Sequence, residues 1–207
     1  MGKKSHERNR KKKVVIILSP HPDDLELSTT LLCSELKKEY TIIEVVLTDG
    51  AAGGNEPSIF WTEEHVLQRK REARKAAMLV GVSKVIFLDY PDGKLKNNVV
   101  SANLKVKGIV KNLNPEIICF PSRFDLHPDH QAAYEIARLC MKNDVDLKDF
   151  QYCFWGKDER ANYCITLDEP SSIKESALQI YVSQPIKAYM DKYSGILKEE
   201  KFYSERM

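Results

Sequence analysis

Short apolar runs alternate along the chain with longer stretches of helical period. The runs "VVIIL" (14–18), "TIIEVVLT" (41–48), "KVIFLD" (84–89) and "EIICF" (116–120) are rich in β-branched residues and lack strict polar alternation. That is the pattern of strands buried on both faces, as in a parallel sheet. Between them lie helix patterns at 25–39, at 62–80 with Val66, Arg69, Ala73, Ala76 and Ala77 on the repeat, and at 101–113, closed by Asn-Pro. The β-α-β-α order predicts right-handed crossovers and an α/β fold with a mostly parallel sheet and helices on both faces. Further on, the pattern predicts a helix over 129–142, strands near 150–155 and 163–168, a helix over 171–181 and a last amphipathic helix over 186–204. On that last helix Ile186, Tyr189, Tyr193 and Ile196 or Leu197 form one stripe, which reads as packing. No internal repeat of about 20–50 residues is visible.

A chain of 207 residues that is 43% hydrophobic can bury a substantial core, and no long charge-free linker divides it. One globular domain over 14–207, preceded by a basic disordered arm over 1–13, is the expected organisation. The arm "MGKKSHERNRKKK" holds seven Lys or Arg against one Glu, so the other 194 residues are net acidic although the whole chain is +2. The arm lacks aromatic residues to stack on bases, which argues against a nucleic-acid partner and leaves at most a weak contact with an anionic membrane surface. No stretch of about 18 apolar residues occurs, and "VVIIL" is too short for a signal-peptide core, so a cytoplasmic protein is expected. Five cysteines, Cys33, Cys119, Cys140, Cys153 and Cys164, are odd in number and form no Cys-x-x-Cys pair. They read as buried thiols of a reducing compartment rather than as bridges or zinc ligands. Oligomeric state is not readable from the chain.

The chemistry concentrates in a repeated tripeptide. "SPHPDD" (19–24) and "HPDH" (127–130) share His-Pro-Asp, of which composition alone would give about 0.01 copies. Each follows an apolar strand and precedes a helix, which places both at the carboxyl ends of strands, where ligands bind in open parallel sheets. A plain helix start, with His near the N-cap and Pro at the first helical position, accounts for Pro and Asp but needs a poor cap twice. The spacing says more: His21 and Asp24 are three apart, as are His127 and His130, so each pair can present two groups from one helical turn to one point. Two His and one or two Asp from separate strand ends describe a metal site with room for water. Asp23 and Asp24 are adjacent and cannot face the same way; one binds metal, and the other is left as a base beside it, the equipment for hydrolysis. His6 and His65 read as surface residues.

"SPHPDDLEL" resembles the signature of the PIG-L/LmbE-like zinc-dependent N-deacetylases. The resemblance continues in register through "LTDGAAG", "RKREARKAAMLVGV", "LDYPDGKL", "HPDHQAA" and "IKESALQIYVSQ", covering 14 to about 184. It implies a Rossmann-like hydrolase of carbon–nitrogen bonds that removes acetyl from an N-acetylated amino sugar, of N-acetylglucosamine type, carried on a conjugate. It further implies that His21, Asp24 and His130 are zinc ligands, that Asp23 is the general base and that His127 stabilises the oxyanion. Arg69 and Asp92 match positions of substrate contacts. The chain departs from the common pattern where Leu25 separates the paired Asp from Glu26, and where Ser28, Thr30 and Leu31 replace glycines usual in the next turn. These changes bear on substrate shape.

Three rival readings stand beside this one, among them that the basic arm over 1–13 makes the chain a nucleic-acid binder whose retention on nucleic acid at low salt is lost with the arm. Two His and a carboxylate also suit a non-haem Fe(II) enzyme, though such a site needs no extra carboxylate like Asp23, and Fe(II) could equally occupy the hydrolase site. A metal- and sugar-binding protein without turnover would keep the same fold.

Overall fold

The computed structural model describes residues 12–142, 146–193 and 195–206. Seven strands form one sheet in the order β3-β2-β1-β4-β5-β7-β6. They are β1 (Lys13–Ser19), β2 (Tyr40–Thr48), β3 (Lys84–Tyr90), β4 (Ile117–Pro121), β5 (Lys148–Tyr152), β6 (Tyr163–Thr166) and β7 (Glu199–Tyr203). The first five pair in parallel, and β7 runs antiparallel between β5 and β6. β1 and β2 lie inside the sheet and are buried on both faces, which is why their sequences carry no polar alternation. Along β1 the apolar side chains divide between two cores: Val15 and Ile17 on one face, Ile16 and Leu18 on the other.

The first face is covered by α1 (Asp24–Ser28), α2 (Thr30–Leu36), α3 (Glu63–Val80), α6 (Ser172–Leu178) and α7 (Ile186–Lys192). The second is covered by α4 (Val99–Leu113) and α5 (Pro128–Met141), through small and apolar residues such as Ala102, Val106, Ala133 and Ile136. The expected α/β architecture is therefore present, with most elements within a few residues of their expected bounds.

Two elements differ from expectation. The helix expected over 25–39 breaks at Thr29 (φ −138°, ψ 11°). Thr29 and Thr30 turn their hydroxyls back onto the carbonyls of Leu25 and Glu26, a local competition that weakens a continuous helix. The last helix ends at Lys192, and 199–203 form a strand instead. Gly195 at φ +89° turns the chain, and beyond it the burial switches to a period of two, with Glu200 and Phe202 inside and Lys201 outside. The aromatic stripe does pack on the core, through Tyr189 and Tyr193.

Lys13 is the first residue of β1 rather than the end of an arm, and residues 1–11, His6 among them, lie outside the described residues. Cys33, Cys119 and Cys140 are buried free thiols, Cys153 is half-buried and Cys164 is exposed. No helix among the described residues is long and apolar enough to cross a membrane.

Candidate active site

β1 and β4 are neighbours at the centre of the sheet, and the strand order runs outward in opposite directions from them. The crevice beyond their carboxyl ends is the place such folds bind ligands. The turn after β1 is pinned from two sides. Thr48 donates to the carbonyl of Pro20 through its backbone N–H (3.0 Å) and its hydroxyl (2.8 Å). The Tyr181 hydroxyl donates to the carbonyl of Pro22 (2.6 Å) and lies 2.7 Å from Glu26 Oε2. The turn after β4 is held by Asp125, whose carboxylate accepts the backbone N–H groups of His127, Phe154 and Trp155.

These turns bring the two His-Pro-Asp segments face to face. The carboxylate of Asp24 lies between two imidazoles, with Oδ2 3.3 Å from His21 Nδ1 and Oδ1 3.1 Å from His130 Nε2. His130 is fully buried, yet neither of its ring nitrogens has an aligned hydrogen bond among the described residues. Close approach without alignment is what a donor set looks like when its atoms are aimed at a common third point rather than at each other. Behind the ring, Asp125 Oδ2 stands 3.1 Å from Nδ1, the position of a carboxylate that orients a ligating histidine. Two imidazoles and a carboxylate with such a supporting carboxylate fit a zinc-type ion. Among the described residues, the donor atoms that lie within reach of one ion are those of His21, His127 and His130, and of His21, Asp92 and Asp129, the last two 3.3 and 3.4 Å from His21 Nε2; Asp24 touches His21 and His130 through different oxygens and stands outside both groups.

Titration follows from these contacts. Burial works against the charged form of His21, but Asp129, Asp24 and Asp92 outweigh it and raise the ring well above its ordinary value. His130 is raised to about 9 in the same way, by Asp24 and Asp125 against burial. Burial would raise Asp24, and the two histidines instead hold it far below the usual carboxylate range.

Asp23 points elsewhere. Its Oδ1 accepts from Arg69 Nη2 at 2.9 Å, while Arg69 Nη1 donates to the carbonyl of Gly50 at 2.6 Å and stands 3.9 Å from Asp92. Burial raises the Asp23 carboxyl, and the Arg69 charge restrains the rise. Arg69 is buried, with Nη1 and Nη2 each bonded within the protein and Nε without a hydrogen-bond partner among the described residues. Gly50, at φ +69°, leaves the space for it, since a Cβ there would lie 2.6 Å from Nη1.

His127 is the N-cap of α5. Its Nδ1 accepts the backbone N–H of Asp129 at 3.2 Å, which in the neutral ring leaves the proton on Nε2. Burial together with the neighbouring His21 and His130 lowers its pKa, favouring that neutral donor. Asp92 accepts from the backbone of Ala52 (2.9 Å) and lines the same cleft; burial is outweighed there by His21, and its pKa falls to about 2.

The cleft has a volume of about 200 Å³, and all seven expected site residues except His130 line it, with His130 buried directly behind. A larger hollow of about 470 Å³ at the other end of the sheet, between Lys13, Leu113 and Pro115, gathers no comparable set of donors.

Sequence reasoning missed several residues. Asp125 and Asp129 are fully buried at the site, and Asp129 accepts from the backbone of Gly93 (2.7 Å) and Leu95 (3.1 Å). Their position within "DLHPDH" was the available signal. His65, expected on the surface, is 1% exposed. Its Nε2 lies 2.7 Å from the carbonyl of Gly53 and its ring stacks on Phe60, so it fastens the loop that carries Ala52 and Gly53 into the cleft. Gln184, the last residue of the "IKESALQIYVSQ" segment, and Tyr189, on the stripe read as packing, also line the cleft, and neither had been given a site role.

Comparison with known proteins bears on the family and the fold. The family model described as PIG-L, GlcNAc-PI de-N-acetylase, matches residues 16–141, which include both His-Pro-Asp segments and the strands that carry them. The chain belongs to this family. The diacetylchitobiose deacetylase of Thermococcus kodakarensis is 24% identical over 189 residues, 83% of this chain and 70% of that protein. The N,N'-diacetylchitobiose deacetylase of Pyrococcus horikoshii, solved with an inhibitor, superposes with a TM-score of 0.77 at 21% identity, over 95% of this chain and 85% of that one. The 4-carboxy-2-hydroxymuconate hydratase of Pseudomonas putida KT2440 superposes with a TM-score of 0.71 at 18% identity, over 93% and 96%. At such identities the superpositions establish the fold, and because a hydratase shares it, the chemistry has to be argued from the site.

Proposed function

We propose that the protein is a metal-dependent hydrolase that removes the acetyl group from an N-acetylated amino sugar, acting in the cytoplasm on a small conjugate. Family membership supports amide hydrolysis, and the deacetylases similar to it support an N-acetylated sugar as the substrate class. The observation that carries the reading is His130 Nε2, buried, unaligned and 3.1 Å from Asp24, with the Asp23–Arg69 pair beside it. In this reading His21, Asp24 and His130 hold zinc, with Fe(II) able to take the same donors. A bound ion would polarise the amide carbonyl and make water acidic enough to attack near neutral pH.

The remaining steps belong to the chain's own side chains. Asp23, held in place by Arg69, takes the proton of the attacking water and returns it to the leaving amine. His127 presents Nε2–H to the oxyanion of the tetrahedral intermediate, a donor fixed in advance by its cap on Asp129. Asp92 and the partly exposed Trp155 and Tyr189 supply polar and aromatic surface for the sugar. Arg69, in this arrangement, acts on the substrate through Asp23. The test is acetate release across a panel of N-acetylglucosamine derivatives, with metal analysis of the same preparation. Release that tracks metal content is expected. Metal-free protein that gains neither metal nor activity on addition of zinc would overturn the reading.

A further inference from the structure

Beside the cleft lies a second, solvent-open hollow of about 240 Å³, lined by Phe154, Tyr193 and Ile196 and also by Glu199, Glu200 and Lys201. Leu27, 4% exposed, is the one described residue that lines both spaces. Elsewhere the partition is made of rings. Trp155 and Tyr189 stand on the cleft side, their centroids 5.6 Å apart, and Phe154 and Tyr193 on the cavity side, 4.8 Å apart. A packed aromatic wall yields little, and an aliphatic side chain set in it is the natural opening.

Leu27 also sits where the acyl group must go. It is three residues after Asp24 on α1 and therefore on the same side of one helical turn. Among the apolar residues of the cleft it is the bulky aliphatic one at depth, whereas Trp155 and Tyr189 are partly exposed at the mouth. A carbonyl carbon held beside Asp24 thus directs its alkyl substituent at Leu27 and its amine-bearing ring toward the aromatic mouth.

We propose that Leu27 determines acyl-chain length: it seats the methyl of an acetyl group and closes the cleft against longer chains, and the cavity behind it is an acyl pocket that Leu27 shuts. The inference rests on the amide-hydrolase reading above. In each turnover water adds to the carbonyl, the C–N bond breaks, and a carboxylic acid and a free amine leave, whatever the acyl length. The cavity exceeds the ~150 Å³ that accommodates benzene, so the carbons a hexanoyl chain has beyond acetyl would fit.

The experiment compares kcat/KM for N-acetyl- and N-hexanoylglucosamine in the wild-type protein, Leu27→Val and Leu27→Ala, each loaded with metal. The hexanoyl-to-acetyl ratio should rise in that order, by roughly 10- to 100-fold for Leu27→Ala, given what each methylene is worth in a fitted pocket. Because both substrates are read in one preparation, loss of folded protein cancels from the ratio, and Leu27→Val serves if the alanine variant does not fold. Binding of hexanoate against acetate to the same proteins should shift alike and needs no sugar. An unmoved turnover ratio together with acetate release by the wild type overturns this inference and leaves the function standing. No release from any amide, with the hexanoate preference still shifting as expected, overturns the substrate and keeps Leu27 as the gate. No shift in either measurement overturns the gate outright.

Discussion

The turns at 21–24 and 127–130 begin with the same three residues and use them in opposite ways. In the first, the histidine is free of capping duty: the N-cap is Asp23, and His21 turns its ring toward Asp24, Asp92 and Asp129. In the second, the histidine itself is the cap, and its Nδ1 is spent on the backbone of Asp129. The aspartates diverge too. Asp23 faces the cleft and Arg69, whereas Asp129 ties down the backbone of Gly93 and Leu95 and backs the His21 ring at 3.4 Å. Only the fourth positions, Asp24 and His130, do the same thing, meeting at 3.1 Å. A repeated motif is therefore evidence for a site but not for repeated roles; each side chain's role follows from which backbone groups its own turn leaves unsatisfied.

The sharpest way to break this contrast is at the aspartates. Asp23→Asn keeps the size and a hydrogen bond to Arg69 but cannot accept a proton. Turnover should fall about 10²- to 10⁴-fold with metal content near normal. Asp24→Asn should instead lose metal, with part of its activity restored by excess zinc. The reverse pattern, metal lost from the first variant and kept by the second, would exchange base and ligand. The histidines come next: His127→Ala should retain metal and slow turnover by about 10²- to 10³-fold, the worth of one oxyanion donor, while His130→Ala should lose most metal. Equal metal loss in both would make His127 a ligand.

Asp129→Asn tests the aspartate of the second turn. The amide can accept one of the Gly93 and Leu95 N–H groups with its single oxygen and sets an NH2 donor against the other, so denaturant unfolding should show a loss of about 1–3 kcal/mol, with a much smaller change in turnover than Asp23→Asn causes. A variant as stable as the wild type and as inactive as Asp23→Asn would give the two aspartates one role.

The smallest effect concerns what lies under the first turn alone. Glu44 is fully buried beside β1, accepts from Ser19 at 2.8 Å and has its pKa raised from 4.5 to about 8, by burial first and then, against Ser19, by the charges of Asp24 and Asp23. Between those values the unfolded chain releases this proton and the folded one keeps it, so Glu44 makes stability fall as pH rises from about 4.5 to about 8 and adds nothing further above. Glu44→Gln should flatten that part of the profile and be more stable than wild type at pH 8, measured by thermal unfolding across the range. An unchanged slope would mean that Glu44 is ionised in the folded protein.

The inner strands and the placing of both motifs on one rim were legible because continuous apolar runs and strand–turn–helix order carry that information directly. That Asp23 and Asp24 face different partners was legible from their adjacency. The role of Asp129 was not, because an aspartate after proline reads alike whether it faces cleft or backbone. β7 was hidden for a related reason: "EEKFY" has the charge of a helix surface, and its Glu200 is buried against partners distant in sequence, Lys174 at 2.6 Å among them. His65 opens a polar helix, and nothing local tells that a glycine carbonyl 12 residues earlier will cover it.

Glu200 does one more thing. Its two carboxylate oxygens accept the backbone N–H groups of Leu31 and Leu32, each at 3.0 Å, and so provide the first-turn acceptors of α2 that Thr29 does not. The chain is made from its amino end, and these partners lie 169 and 168 residues apart. The segment just past the paired aspartates therefore leaves the ribosome with its helix uncapped and stays so until β7 slides between β5 and β6, a closure of high contact order. The residues read first are the last to be made ready: a nascent chain holds the first catalytic turn long before it holds a finished one.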